Sequence, residues 1–295
     1  MPELPEIEHL RRTLEPLLVG RRIAQATLHR QDMLCQLGPH CATRQSMMVG
    51  GTVKALHRHG KNFSIEVHDG RVLGVHLGMT AQCFVTTAQS DDRQPKNHRH
   101  AVWILSHPQE KTLRARLVFR DPRRFGGLVA AASQTELETL RWSRLGTDAL
   151  AVRSVEFRQL LRSTHRSLKS ALLDQSMIAG LGNIYVDESL FAARLHPLSI
   201  SSALTAAQSN RLHRAIQKVL VRAIDAGGST LRDYRDGNGD RGAFVPKHQV
   251  YGRGRLPCSV CGEQLERSAI AQRTSVWCSQ CQQRVGITDA RSAIG

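Results

Sequence analysis

The sequence predicts an α+β protein with four successive regions: an amino-terminal helix, a β-rich region, a helical region and a small cysteine-rich ribbon. Three observations support this prediction. Short segments of alternating apolar and polar residues, separated by turns, follow the first helix up to about residue 132. Apolar residues at helical spacing then dominate to about residue 228, and two pairs of cysteines lie near the carboxyl end. With 295 residues, the chain is long enough to form more than one core.

The first helix is predicted from the opening letters MPELPEIEHL. Pro5 stands near the first helical position and Glu6 in the first turn, where both residue types are favourable. The apolar positions at helical spacing are Leu4, Ile7, Leu10 and Leu14. A helix start accounts for Pro5 and Glu6, but it does not account for Pro2 and Glu3, which precede the helix.

The β-rich region has its clearest strand pair around a predicted turn at Asp69-Gly70. Phe63, Ile65 and Val67 alternate with polar residues just before this turn. Further strands are predicted in the segments HAVWIL and TLRARLVF. Short antiparallel strands joined by turns favour a sandwich or a barrel over units in which strands alternate with helices.

The helical region contains four segments with helical periodicity. They are TELETLRWSRLG, SVEFRQLLRS, NIYVDESLFAARLHP and TAAQSNRLHRAIQKVLVRAIDAGG. Gly146 ends the first segment, His196-Pro197 ends the third, and glycines end the last. A polar, glycine-rich stretch then separates the helices from the cysteines, and residues 286–295 are expected to form a loose tail.

The charge of the chain points to a polyanionic partner. Lysine and arginine number 41 against 25 acidic residues, which gives a net charge of +16 and a pI near 10.4. Nucleic acid is favoured over a membrane surface because no apolar run reaches spanning length and no signal segment is recognisable. Cys35, Cys41 and Cys83 are scattered, so we expect packed thiols in a reducing cytoplasm rather than a disulfide framework.

The four remaining cysteines predict a metal site. Cys258 and Cys261 form one CxxC pair, and Cys278 and Cys281 form another, at the spacing of two zinc knuckles. Because all four ligands of a tetrahedral ion are thereby accounted for, we expect one structural zinc ion. Two disulfides or an iron–sulfur site are the alternatives.

Two polar side chains near these elements are candidate phosphate contacts. The residues between the cysteine pairs are predicted to form a β-hairpin carrying Arg273, which is either a solvated arginine or a contact to phosphate. Asn183 follows two glycines at the start of a helix, where exposed amides favour an anion. The alternative for Asn183 is an ordinary helix cap.

Each candidate residue in the β-rich region also has an alternative interpretation that involves no function. Lys61 follows a glycine at the entrance to a strand, where a lysine is usually a surface charge. Arg123 and Phe125 lie in the turn DPRRFGG and could fill space in a DNA duplex, although a turn with a buried Phe is commoner. Met79 alone is typical of a core residue at a hairpin end. His98 could bind metal or phosphate, or lie in a plain loop.

Taken together, the motifs resemble those of the bacterial formamidopyrimidine-DNA glycosylases over nearly the whole chain. The matching segments are MPELPEIE, GKNF, HLGMT, DPRRFG, GLGNIYVDESLF, GGSTLRDY and QVYGRGRLPC. The resemblance implies a β-sandwich, a helical domain with a helix–two-turn–helix element, and a zinc ribbon. The domains implied are 2–132 for the catalytic sandwich, 133–228 for the helical domain, 229–257 for a lesion-recognition loop and connector, 258–285 for the ribbon and 286–295 for the tail.

The family resemblance also implies an activity and its catalytic residues. The activity is excision of oxidised purines from double-stranded DNA, followed by β,δ-elimination at the abasic site, in a bacterial cytoplasmic monomer associated with the nucleoid. Pro2 would be the nucleophile once Met1 is removed, and Glu3 beside it would be the acid/base. Lys61 would assist base loss and elimination, and Arg273 would take part in the second elimination.

The DNA contacts are implied in the same way. His98, Arg123 and Asn183 match backbone-contacting positions, whereas Met79, Arg123 and Phe125 match the side chains that fill the hole left by a flipped base. The segment STLRDYRDGNGDRGAF matches a mobile loop that closes over that base. The segment RSTHRSLKS is less basic than is usual in the family, so no DNA contact is assigned to it.

Two rival functions remain at this stage. An endonuclease VIII-like glycosylase, which prefers oxidised pyrimidines, would usually have glycine where this chain has Leu4. A non-catalytic DNA-binding protein with a zinc ribbon would need none of Pro2, Glu3 and Lys61.

Overall fold

A computed structural model describes residues 2–33, 46–87, 96–107, 110–229 and 234–286. The predictions for Cys35, Cys41, residues 230–233 of the mobile loop and the tail from residue 287 lie outside these residues. The chain divides into two compact units, Met1–Arg144 with Ala223–Val245, and Leu145–Arg222 with Pro246–Gly295. In the part of the chain that the structure describes, no helix is both long and apolar enough to cross a membrane.

The first unit is a β-sandwich with a helix packed on it. The helix, α1, spans Leu4–Leu18. One antiparallel sheet consists, in spatial order, of β1 (Arg22–Leu28), β6 (Arg99–His107), β7 (Glu110–Arg120) and β5 (Gln82–Thr86). The other consists of β2 (Val53–His59), β3 (Asn62–Val67), β4 (Val72–His76) and β8 (Gly127–Ala131). Two separate four-stranded sheets establish a sandwich rather than a barrel.

The core of this unit draws on both sheets and on α1. Phe63 and Trp103, from opposite sheets, are almost fully buried in one hydrophobic cluster, together with Leu10 and Leu14 of the helix. Cys83 is part of the same cluster, and burial raises the pKa of its thiol to about 12. The prediction of a packed thiol is confirmed for Cys83.

A short helix closes the first unit before residue 145. Helix α2 spans Gln134–Leu137 and continues as one π-helical turn over Glu138–Trp142. Ser133 caps α2 by accepting a hydrogen bond from the Glu136 amide.

The second unit contains most of the predicted helices and the ribbon. Its helices are α3 (Ser154–Arg162), α4 (Leu168–Leu173), α5 (Asn183–Ala192) and most of α6 (Ala206–Asp225). Two short strands, β9 (Thr147–Asp148) and β10 (Ile178–Ala179), pair in parallel. The predicted hairpin between the cysteine pairs is confirmed as β11 (Glu266–Ile270) and β12 (Arg273–Trp277). The α+β fold class with its carboxyl-terminal ribbon is therefore confirmed.

Candidate functional site

The first turn of α1 fixes the two residues that precede the helix. Glu3 is the residue that caps α1, and its amide donates to the Glu6 carboxylate at 2.8 Å in a capping box. Pro2 is buried and only 4% of Glu3 is exposed. The capped start of α1 therefore fixes the position of Pro2 and Glu3 relative to the helix.

The Glu6 carboxylate also anchors a second segment of the first unit. Its Oε1 accepts a hydrogen bond from the Ser229 amide at 2.6 Å, and the Tyr234 hydroxyl donates to the Glu6 carbonyl at 2.9 Å. Burial, followed by the nearby carboxylates of Glu6 and Asp236, holds the pKa of Tyr234 well above its ordinary value, so this hydroxyl remains a donor. The residues on either side of 230–233 are thus attached to the turn that carries Glu3.

Gly228 shows how closely this segment approaches α1. Its φ is +78°, and a Cβ there would lie 2.7 Å from Glu6 Oε1. A larger residue is therefore excluded both by backbone conformation and by space. The predicted glycines at the end of α6 therefore also allow this segment to lie close to α1.

Lys61 lies in the turn that joins β2 and β3. His59 pairs with Asn62, so Gly60 and Lys61 form a two-residue hairpin turn, with Gly60 at φ +56°. Only 9% of Lys61 is exposed, which disagrees with the alternative of a surface charge. His76, which sequence reasoning missed, pairs with Asn62 across the sheet, and its Nδ1 donates a hydrogen bond to Asn62 Oδ1 at 2.8 Å. Burial, with the charges of Arg141 and Lys61, lowers the pKa of His76, so a neutral imidazole lies near the Lys61 cation.

Met79, Arg123 and Phe125 form an exposed group in the first unit. Met79 is 46% exposed and Phe125 is 55% exposed, so the alternatives of a core Met79 and a buried Phe125 are wrong. The Arg123 guanidinium carbon lies 5.3 Å from the centroid of the Phe125 ring, which is cation–π geometry. Gly78 permits this arrangement, because a Cβ there would lie 2.2 Å from the Phe125 carbonyl oxygen.

A buried aspartate holds these exposed side chains in place. Asp121 accepts hydrogen bonds from the Thr80 hydroxyl at 2.6 Å and the Gly126 amide at 2.7 Å, and it thereby ties together the two loops that carry Met79 and Phe125. The Asp121 amide donates to the carbonyl of His98 at 3.0 Å. His98 is exposed with φ +61°, so it stands next to the same turn. The hydrogen bonds of Asp121 therefore fix the two loops from which Met79, Arg123 and Phe125 protrude.

In the second unit, Asn183 and Arg273 are brought together through one carbonyl. Gly182 is the residue that caps α5, so the alternative of Asn183 as the helix cap is wrong. Asn183 is the first helical residue, and its Nδ2 donates to the Thr274 carbonyl at 2.8 Å. Arg273, the residue before Thr274, is exposed at the tip of the ribbon hairpin. Arg273 is therefore exposed next to the residue whose carbonyl accepts from Asn183, at the start of α5.

A buried ion pair that sequence reasoning missed fixes this arrangement. Lys169, fully buried, donates to Asp187 Oδ1 at 2.6 Å and to the Thr274 carbonyl at 3.3 Å. Asp187 Oδ2 in turn accepts from the Val276 amide at 3.2 Å. Burial raises the pKa of Asp187 to about 6, against the opposing effect of Lys169. The ribbon hairpin is thus bonded to α4 and α5 from inside the unit.

The four ribbon cysteines form a metal site. Their sulfur atoms all lie within 4.8 Å of one another, with Sγ–Sγ distances of 3.9 Å for Cys258–Cys281 and 3.4 Å for Cys261–Cys278. A disulfide requires about 2.05 Å, whereas thiolates about 2.3 Å from a tetrahedral zinc lie about 3.8 Å apart. The donor set fits one zinc ion with no open position, so the metal is structural.

Comparison with known proteins identifies relatives of this chain. Residues 1–128 match the formamidopyrimidine-DNA glycosylase N-terminal domain, and residues 145–235 match the formamidopyrimidine-DNA glycosylase H2TH domain. A formamidopyrimidine-DNA glycosylase of Thermomicrobium roseum is 40% identical over 295 residues, covering 96% of this chain and 99% of the relative. That of Thermus thermophilus is 38% identical over 286 residues, covering 96% of this chain and 98% of the relative.

Solved structures agree with these matches. The crystal structure of the MutM (Fpg) protein from Thermus thermophilus aligns with a TM-score of 0.80 at 36% identity, covering 97% of this chain and all of the other. The Lactococcus lactis Fpg in complex with DNA containing an abasic site aligns with a TM-score of 0.81 at 30% identity, covering 96% of this chain and all of the other.

Proposed function

This chain belongs to the formamidopyrimidine-DNA glycosylase family, and from that premise we propose which of its residues carry out the reaction. The protein is a DNA glycosylase of base excision repair with AP lyase activity, and its macromolecular partner is damaged DNA. Its structural zinc ion folds the ribbon and takes no part in the chemistry. The resemblance of its motifs supports oxidised purines as the substrates and the bacterial cytoplasm as the place of action.

Pro2 is the nucleophile in this proposal. Removal of Met1 leaves a secondary amine, and an α-amino group has an ordinary pKa of about 8, so a neutral fraction exists at physiological pH. The nitrogen lone pair attacks the anomeric carbon, and the bond to the damaged base breaks as the base leaves with its electrons. Loss of the amine proton and opening of the sugar ring then give an iminium. Because proline nitrogen has no second proton to lose, the iminium stays cationic.

The cationic iminium drives cleavage of the strand. It draws electrons from the neighbouring C–H bond, whose proton is lost, and the 3′ phosphate departs in β-elimination. Glu3, fixed against α1, transfers protons during ring opening. Lys61 assists base loss and the first elimination, and Arg273 takes part in the second elimination, which releases the 5′ phosphate.

Residues of both units bind the DNA in this proposal. His98, Arg123, Asn183 and Arg273 contact phosphates in this proposal, supported by their exposure or, for Asn183, by its place at the start of α5. Met79, Arg123 and Phe125 enter the space left by the flipped base. Exposed apolar side chains on loops that Asp121 fixes by hydrogen bonds suit that role.

The observation that carries this proposal is the placement of Pro2 and Glu3, two residues with no need to be fixed for DNA binding alone, at the capped start of α1. A non-catalytic DNA-binding protein is disfavoured for that reason. The rival preference for oxidised pyrimidines is tested with duplexes that each carry one defined lesion. We expect strand cleavage at 8-oxoguanine to be faster than at thymine glycol, and the reverse order would assign the protein to the pyrimidine branch.

A further inference from the structure

Three arginines converge on one carboxylate in the second turn of α1. Glu8 accepts hydrogen bonds from Arg11 at 3.0 and 3.1 Å, from Arg12 at 2.8 Å and from Arg58 at 2.9 Å. Burial alone would raise the pKa of Glu8, but these hydrogen bonds outweigh burial and hold the pKa at about 2. The carboxylate is therefore charged throughout the range in which the enzyme works.

Arg58 differs from the other two arginines because it comes from outside the helix. It lies on β2, and while its Nε donates to Glu8, its Nη1 donates to the Gly60 carbonyl at 3.0 Å. That carbonyl belongs to the peptide unit that joins Gly60 to Lys61. Both Arg58 and Glu8 side chains are about one-tenth exposed, at 9% and 10%. One guanidinium thus connects α1 directly to the hairpin turn that carries Lys61.

We propose that Glu8 and Arg58 are positioning residues that hold Lys61 in a fixed place relative to Pro2. This inference rests on the proposed roles of Pro2 and Lys61. Pro2 and Lys61 are 59 positions apart in the sequence, Pro2 at the start of α1 and Lys61 in a hairpin turn. The planar fork of arginine donates in two directions at once, which a single ammonium group does not do in this geometry.

The expected effect follows from how sharply reaction rates depend on placement. Displacement of a catalytic group by about 1 Å costs on the order of 100-fold in rate. Without the guanidinium, the turn keeps its strand pairing but loses its bond to α1. We therefore expect the chemical step to slow while binding of DNA, which depends on other side chains, stays the same.

The test compares Arg58→Gln and Arg58→Lys with Arg12→Gln as the matched control. Arg12 donates to the same carboxylate at a similar distance, but it is half exposed and is bonded to α1 rather than to the turn. The readouts are the single-turnover rate of 8-oxoguanine excision, the Kd for the same duplex and the melting temperature. We expect the two Arg58 variants to lose about 10- to 100-fold in rate with Kd unchanged within about twofold. Arg12→Gln should retain the wild-type rate.

A second background shows whether Arg58 acts through Lys61. In Lys61→Met protein, Arg58→Gln should change the single-turnover rate of 8-oxoguanine excision by less than about twofold, because no amine remains to be positioned. An equal loss with and without Lys61, or a wild-type excision rate for folded Arg58→Lys, would overturn the inference. A wild-type rate for Lys61→Met alone would instead refute the proposed role of Lys61, and the inference would fall with it.

Discussion

Replacement of Phe125 by alanine should weaken binding to damaged DNA without destabilising the protein. An aromatic side chain buries about 200 Å² when it is fully covered. Because Phe125 is 55% exposed, roughly 100 Å² remains to be covered by DNA. At about 25 cal/mol per Å², that area corresponds to at most about 2.5 kcal/mol, or about 70-fold in Kd. The Arg123 guanidinium, 5.3 Å from the ring, would lose its aromatic partner at the same time.

The assay measures the Kd for a duplex that carries an uncleavable abasic-site analogue, together with the melting temperature of the protein. Val155→Ala is the matched control, because Val155 is also an apolar side chain with 55% exposure but has no proposed contact with DNA. We expect a 10- to 70-fold rise in Kd for Phe125→Ala and none for the control. A Kd within twofold of wild type would refute the contact of Phe125 with DNA, and a melting temperature lowered by more than about 5 °C would show that the side chain stabilises the fold instead.

Serine in place of Cys258 should lower zinc content and DNA affinity together, because folding of the ribbon depends on the metal; full affinity in zinc-free protein would contradict this. Methionine in place of Lys169 should destabilise the protein to urea by about 3–5 kcal/mol, since it leaves the Asp187 carboxylate buried without its cation. Lys169→Met/Asp187→Leu should recover most of that loss, and an equal loss in the double variant would refute the explanation. Arg273→Ala should reduce the slope of log Kd against log salt by about one, whereas Asn183→Ala should weaken binding with the slope unchanged.

Local sequence chemistry predicted the elements that depend on local interactions. The proline and glutamate at the start of α1, the Asp69-Gly70 turn and the spacing of the cysteines each determine the backbone within a few residues. The hairpin around Asp69-Gly70 is present, with Glu66 paired to Val72. Periodicity alone predicted separate helices, and the resemblance to a family predicted that they form one domain with a helix–two-turn–helix element. The bounds of the five predicted segments stay a prediction.

The missed features all join residues that are distant in the sequence. Lys169 is a single lysine in an otherwise ordinary helical segment, and nothing near it indicates that its partner is Asp187, eighteen positions later. The exposure of Phe125 depends on Asp121 and on the loop that contains Gly78, so the letters DPRRFGG fit a buried ring equally well. Arg58 reaches Glu8 across fifty positions. Tertiary contacts of this kind leave no periodic signal in a single sequence.

Borohydride trapping shows directly whether the amino-terminal nitrogen of Pro2 attacks the sugar. Protein with a free Pro2 is mixed with a duplex containing 8-oxoguanine in the presence of borohydride, which reduces an iminium to a stable amine. We expect a covalent protein–DNA adduct that peptide mapping locates on Pro2. We expect no adduct when an uncleaved extension turns that nitrogen into a tertiary amide, whose lone pair is delocalised into the carbonyl. An adduct on a lysine, or equal trapping by the extended protein, would contradict the role of Pro2 as the nucleophile.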